Sequence, residues 1–124
     1  MNPLVIFVLL LPLVAGCHSP SIKLKSDADI TNWAKDKYGC LSLRSSRLAE
    51  KLIIKYHLIN STIKEALNVF STPNIIDYSD KSEIFVYYFA GPCNTGKLIE
   101  AGDKCYLRLY FKKNRLVTTQ IPCE

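Results

Sequence analysis

Apolar positions along this chain follow a helical period up to residue 70 and a strand period from residue 83 onward. Three segments carry the helical signal. Around residues 29–38, Asp29 is the expected N-cap, Ile30, Trp33 and Ala34 share one side, and Gly39 supplies the stop. Over 45–59, Leu48, Leu52 and Ile59, with Ala49 and Ile53 beside them, form an apolar stripe. Arg47, Glu50, Lys51 and Lys55 face the other way. Thr62-Ile63-Lys64-Glu65 has the form of a capping box, Ala66, Leu67 and Phe70 supply the buried side of the third helix, and Pro73 forbids its continuation.

Residues 83–90 (EIFVYYFA) are rich in β-branched and aromatic side chains and read as a strand. Over 104–112 the alternation is regular, with Cys105, Leu107, Leu109 and Phe111 on one face and Tyr106, Arg108, Tyr110 and Lys112 on the other. A third strand, 115–121, follows after Lys113-Asn114, a pair short enough for a tight hairpin. The expected fold class is therefore α+β, with two to three N-terminal helices packed on a three-stranded antiparallel β-meander. Residues 91–103 are a long connection between the first two strands.

The N-terminus changes this picture. Residues 4–16 are apolar and interrupted only by Pro12, too short for the ~20 residues that span a bilayer but the right length for a signal-peptide core. The sequence Leu13-Val14-Ala15-Gly16-Cys17 resembles the lipobox of bacterial lipoproteins. That resemblance implies cleavage before Cys17 and a lipidated Cys17 thiol. It divides the chain into a signal peptide (1–16), a lipidated cysteine and tether (17–28) and a single domain (29–124). No Asp follows Cys17, which by similarity to enterobacterial sorting rules implies the outer membrane rather than the inner one.

The chain has five cysteines, and assigning Cys17 to lipid leaves an even set of Cys40, Cys93, Cys105 and Cys123 for disulfides in an oxidising compartment. In antiparallel order Cys93, Cys105 and Cys123 fall near one end of the sheet. Two connectivities fit: Cys93–Cys105 with Cys40–Cys123, favoured because it staples the long connection, or Cys40–Cys93 with Cys105–Cys123. No Cys pair has the close spacing of a zinc site. The net charge of +5 is concentrated early, with 9 basic and 5 acidic residues in 17–70 against 7 and 6 in 71–124. Lys23, Lys25, Lys35, Lys37, Arg44 and Arg47 are thus available to anionic headgroups near the anchor.

Ser61-Thr62-Ile63-Lys64-Glu65-Ala66-Leu67-Asn68-Val69-Phe70-Ser71-Thr72-Pro73 resembles the threonine-capped helix and Thr-Pro turn of BamE/SmpA/OmlA-type small outer-membrane lipoproteins. Residues 106–116 (YLRLYFKKNRL) are similar to that family's last hairpin. Ser71 stands where the family carries glycine. The resemblance implies an accessory subunit or scaffold of an outer-membrane complex.

Motifs for catalysis are few. Gly91-Pro92-Cys93-Asn94-Thr95-Gly96-Lys97 matches G-x-x-x-x-G-K, but Leu98 stands where a phosphate loop needs Ser or Thr, and no helix has room to follow. His18 and His57 are isolated, and Asp77, Asp80 and Glu83 read as turn residues. The expectation is a non-enzymatic protein without cofactor, metal, nucleotide or nucleic acid, held to the membrane by its lipid and bound to an envelope protein. The alternative is a periplasmic binding or enzyme-inhibitor module. The expected partner surface is Tyr106, Arg108, Tyr110 and Lys112, flanked by either Phe85, Tyr87 and Phe89 or Ile84, Val86 and Tyr88.

Overall fold

A computed structural model describes Gly16 and residues 27–124; Cys17, His18, Lys23 and Lys25 lie outside the described residues. The described chain is α+β, with three helices followed by strands: α1 (Ala28–Lys35), α2 (Ser46–Lys55), α3 (Ile63–Phe70), β1 (Ile75–Ser79), β2 (Ser82–Ala90), β3 (Cys93–Asn94), β4 (Lys97–Leu98), β5 (Cys105–Lys112) and β6 (Arg115–Gln120). The main sheet is antiparallel in the order β1-β2-β5-β6, and β3 and β4 form a separate small hairpin. The sheet has four strands rather than the expected three, because the segment before Asp80 pairs with β2 from Ile75↔Val86 to Ser79↔Ser82.

Local chemistry sets the helix ends. In α3 the Thr62 hydroxyl accepts from the Glu65 N–H at 3.2 Å while the Glu65 carboxylate accepts from the Thr62 N–H at 2.9 Å, so the capping box closes in both directions. Ser45 caps α2 by accepting from Leu48 N–H at 3.0 Å. Helix α1 is capped by Asp27 and not by Asp29, and it ends at Lys35, before Gly39. The Asp27 carboxylate accepts from Asp29 N–H, from Lys55 Nζ at 2.6 Å and from the Tyr56 hydroxyl, so one cap also joins α1 to α2. The Lys55 and Tyr56 hydrogen bonds hold its carboxyl well below the usual carboxylate range, and burial with the Asp27 bond pushes Tyr56 up to about 12.

The helices cover one face of the sheet. Trp33, Leu52, Phe70, Tyr87, Leu107, Leu109 and Phe111 are nearly solvent-free there, and Trp33 meets Phe70 edge-on at 5.0 Å between ring centroids. Strand alternation therefore places Phe85, Tyr87 and Phe89 under the helices and turns Ile84, Val86 and Tyr88 outward, which decides the open choice for β2.

Two buried charges order the turn from α1 to α2, Asp36 within it and Arg44 tying it to the end of β2. Backbone N–H groups of Leu41, Leu43 and Arg44 donate to the Asp36 carboxylate at 2.9, 3.0 and 3.0 Å. Burial works to raise that carboxyl, but the three donors and the Arg44 charge outweigh it and the group titrates below its ordinary range. The Arg44 guanidinium donates to the carbonyls of Trp33 (2.7 Å), Lys37 (3.1 Å) and Tyr88 (2.9 Å) and lies 4.7 Å from the Trp33 ring centroid. Burial draws its pKa down to about 10, opposed by Asp36. Gly39, at φ +71°, comes so close to β2 that a Cβ would sit 2.6 Å from the Phe89 carbonyl carbon, so only glycine fits.

That close approach brings Cys40 to Cys93, and the two form one disulfide; Cys105–Cys123 is the other. The connectivity is the rival pairing, and Cys93–Cys105 with Cys40–Cys123 is overturned. Cys105 and Cys123 face each other across an antiparallel bridge, which leaves Cys93 to the helical layer.

Candidate functional site

The sheet's second face has no layer over it among the described residues. Because side chains alternate along a strand, the register that buries Leu107, Leu109 and Phe111 turns Tyr106, Arg108 and Tyr110 to the other side. Opposite them the outward residues of β2 are Ile84, Val86 and Tyr88, and those of β1 are Ile75 and Asp77. Ile84, Val86 and Tyr106 pack into a second apolar cluster, with Tyr88 and Tyr110 against it. The result is a groove of about 340 Å³. Its floor is β2, one wall is Tyr106, Arg108 and Tyr110, and the other is Ile75 and Asp77.

The polar tips in this groove are pinned. Tyr106 Oη donates to Glu124 Oε2 at 2.6 Å and accepts from Arg108 Nη2 at 2.9 Å, and the guanidinium stacks 4.7 Å from the Tyr106 ring centroid. The hydrogen bond to Glu124, with some burial, raises the Tyr106 phenol above its ordinary value. Tyr110 Oη shares a 2.9 Å hydrogen bond with Gln120 Oε1. Tyr88 meets Tyr106 edge-on at 6.0 Å. Rigid aromatic rings with fixed hydroxyls lose little conformational freedom when a partner binds.

Of the four residues expected to form the partner surface, the structure brings Tyr106, Arg108 and Tyr110 together. Lys112 lies exposed at the β5–β6 hairpin end, outside the groove lining. Sequence reasoning missed Ile75 and Asp77, because it missed β1, and it missed Glu124, whose carboxylate reaches back from the C-terminus. The signal for β1 was present in Ile75-Ile76-Asp77-Tyr78-Ser79, an apolar-rich run directly before a turn pair.

A second depression of about 330 Å³ continues from the first past Tyr88, between Tyr38, Asn74 and the loop carrying Leu98, Ile99 and Lys104. The Cys40–Cys93 disulfide and the Arg44 node hold its walls in place. Asn74 contributes directly: its side-chain oxygen accepts from Tyr88 N–H at 2.9 Å and its amide donates to the Lys37 carbonyl at 2.7 Å.

Other candidate residues resolve as follows. Gly91-Pro92-Cys93-Asn94-Thr95-Gly96-Lys97 forms the β3–β4 hairpin, with Thr95 and Gly96 at φ +50° and +77° in a two-residue turn. Asp80 sits in the β1–β2 turn, but Asp77 and Glu83 lie within strands, which corrects their reading as turn residues. His57 is exposed just beyond α2. Arg44 is only 4% exposed, so it serves the fold and not a headgroup surface; Lys35, Lys37 and Arg47 are exposed. Among the described residues no group of three or more His, Cys, Asp or Glu is placed to hold a metal, and no helix is long and apolar enough to cross a membrane. Comparison with protein-family models, with curated proteins and with solved structures finds no match.

Proposed function

We propose that this chain is a lipid-anchored, non-catalytic outer-membrane lipoprotein facing the periplasm, an accessory subunit that holds an envelope protein against the open face of its sheet. The observation that carries this reading is the groove itself. Three tyrosines and one arginine stand around an apolar floor, with Tyr106 braced by a hydrogen bond to Glu124, Tyr110 by one to Gln120 and Arg108 by one to the Tyr106 hydroxyl. Aromatic and arginine side chains in a partly desolvated, preorganised setting are the composition of binding hot spots. The lipobox-like Leu13–Cys17 supplies the anchor, and the likeness of residues 61–73 and 106–116 to BamE/SmpA/OmlA-type lipoproteins supplies the compartment.

The test is a cross-linked pull-down of the full protein from native membranes, with Arg108→Glu as the comparison. One envelope protein should be enriched by the unaltered chain and lost at least tenfold in the variant. Equal recovery with both, or none with either, would sink the reading. The anchor has its own test: Cys17→Ser should move the protein from the membrane to the soluble fraction, and unchanged fractionation would remove the lipid from the account.

A further inference from the structure

The two outer strands of the main sheet are finished differently. At β6 the backbone N–H of Asn60 donates to the Leu116 carbonyl at 2.7 Å and the Leu116 N–H donates to Ser61 at 2.9 Å, so residues 60–61 cover the start of that edge. A register shift between Tyr110 and Phe111 bends it further. Strand β1 has neither protection. All five of its residues are exposed, its register with β2 is continuous, and it contains no proline.

The register says which backbone groups are free. A two-residue loop, Asp80-Lys81, closes on the pair Ser79 and Ser82, so Ser79, Asp77 and Ile75 exchange hydrogen bonds with β2 while Ile76 and Tyr78 turn their N–H and C=O groups outward. In agreement, Tyr78 N–H donates to the neighbouring Asp77 carboxylate at 2.8 Å instead of to a strand. Ile76 and Tyr78 are also 47% and 71% exposed, an apolar pair beside an unpaired ladder. Residues 77–83 of the hairpin carry Asp77, Asp80 and Glu83 against Lys81, with Lys112 of β5 opposite Ser82 and farther from the β1 edge, so the edge itself is acidic in a chain of net charge +5.

We propose that β1 is the entry edge for an extended strand of the partner protein, one that alternates apolar with basic residues. Its backbone pairs with the outward groups of Ile76 and Tyr78. Its apolar side chains lie beside those of Ile76 and Tyr78, and a Lys or Arg draws the Asp77 carboxylate off the Tyr78 N–H, freeing that donor for the ladder. Because Ile75 and Asp77 also wall the groove, the added strand extends the same surface. This rests on the open face being the partner surface, and it names how the partner enters.

The test uses the full chain and two synthetic strands, Thr-Val-Lys-Val-Lys-Val-Thr and its glutamate counterpart. The lysine peptide should bind at least tenfold more tightly and slow amide exchange at Ile76 and Tyr78. Ile76→Pro, which removes only an outward N–H, should lower that binding at least tenfold with the melting temperature unchanged. Asp77→Lys should reverse the preference between peptides, and it keeps the proposal testable should the proline variant fold poorly. Equal binding of both peptides, or protection at residues 117–119 instead, would overturn it. So would protection of Ile76 that grows with protein concentration alone, the sign of a second copy on the edge. If the membrane pull-down survives Ile76→Pro and Asp77→Lys but fails with Arg108→Glu, the strand mode is wrong and the open face stands.

Discussion

Each side of the sheet carries an arginine whose guanidinium lies 4.7 Å from an aromatic ring centroid, Arg44 over Trp33 and Arg108 over Tyr106. The shared motif does opposite work. Arg44 is buried under the turn between α1 and α2, three backbone carbonyls accept its protons, and Asp36 lies near enough to raise its pKa. Arg108 stands half-exposed, with one phenol oxygen at 2.9 Å and the Glu124 carboxylate 4.0 Å away. A buried charge whose donors hold backbone carbonyls is structural, because removing it strands its partners. A half-exposed charge with donors to spare is available for binding.

The largest effects should separate these two residues. Arg44→Met leaves the Asp36 carboxylate without its cation and takes the Arg44 donors from the Trp33 and Tyr88 carbonyls, and should cost about 4 kcal/mol of stability in urea denaturation. Arg108→Met should cost less than about 1 kcal/mol, the range of a solvent-exposed pair. Similar losses for both would erase the distinction.

The disulfides sharpen the comparison next. Cys40–Cys93 closes a separation of 53 residues on the Arg44 side, and replacing both by Ala should cost about 4 kcal/mol by loop entropy. Cys105–Cys123 closes 18 residues and should cost about 3 kcal/mol. Only the second loss should also return the Tyr106 phenol toward its ordinary pKa. Glu124 is held to Tyr106 from the residue after Cys123, and ultraviolet titration reads the change.

Adjacent residues of β5 offer a third contrast. Leu109→Ala removes a fully buried side chain and should destabilise by about 3 kcal/mol. Tyr110→Ala, one residue on and facing the groove, should cost about 1 kcal/mol while reducing partner recovery.

The smallest effect is pH-dependent and belongs to the covered side. Asp27 and Asp36 titrate below the ordinary carboxylate range in the folded protein, so the unfolded chain binds protons first as pH falls. Their contribution should be complete above about pH 5 and decline as pH drops through 4 and below. Asp27→Asn should remove part of that acid sensitivity and about 1 kcal/mol at neutral pH, since Asn still caps α1 but gives up the charge that faces Lys55 and the helix N-terminus. Acid sensitivity unchanged by this variant would exclude Asp27 as its source.

Elements governed by neighbours in the chain were legible in advance. The Thr62–Glu65 box and the alternation of β5 depend on residues within four positions, and the structure has both of them. Helix α1 was legible in place but not in its cap. Two aspartates stand two residues apart, and the choice of Asp27 is made by Lys55 and Tyr56, which belong to another helix. The groove was half legible. Its β5 wall follows from alternation, whereas the wall of Ile75 and Asp77 depends on β1 finding β2.

By itself, then, the sequence determined that helices precede strands, the capping box of α3, and which residues of β5 share a face, because backbone hydrogen bonding and side-chain period are local. Tertiary structure alone decided which face of β2 the helices cover, which cysteines meet, and which edge stays open. Those outcomes turn on the close approach of Gly39 to Phe89, the burial of Arg44 and Asp36 against the end of β2, and the pairing of Cys105 opposite Cys123. Each is a contact between residues far apart in sequence, set by packing and charge burial, to which no local pattern is sensitive.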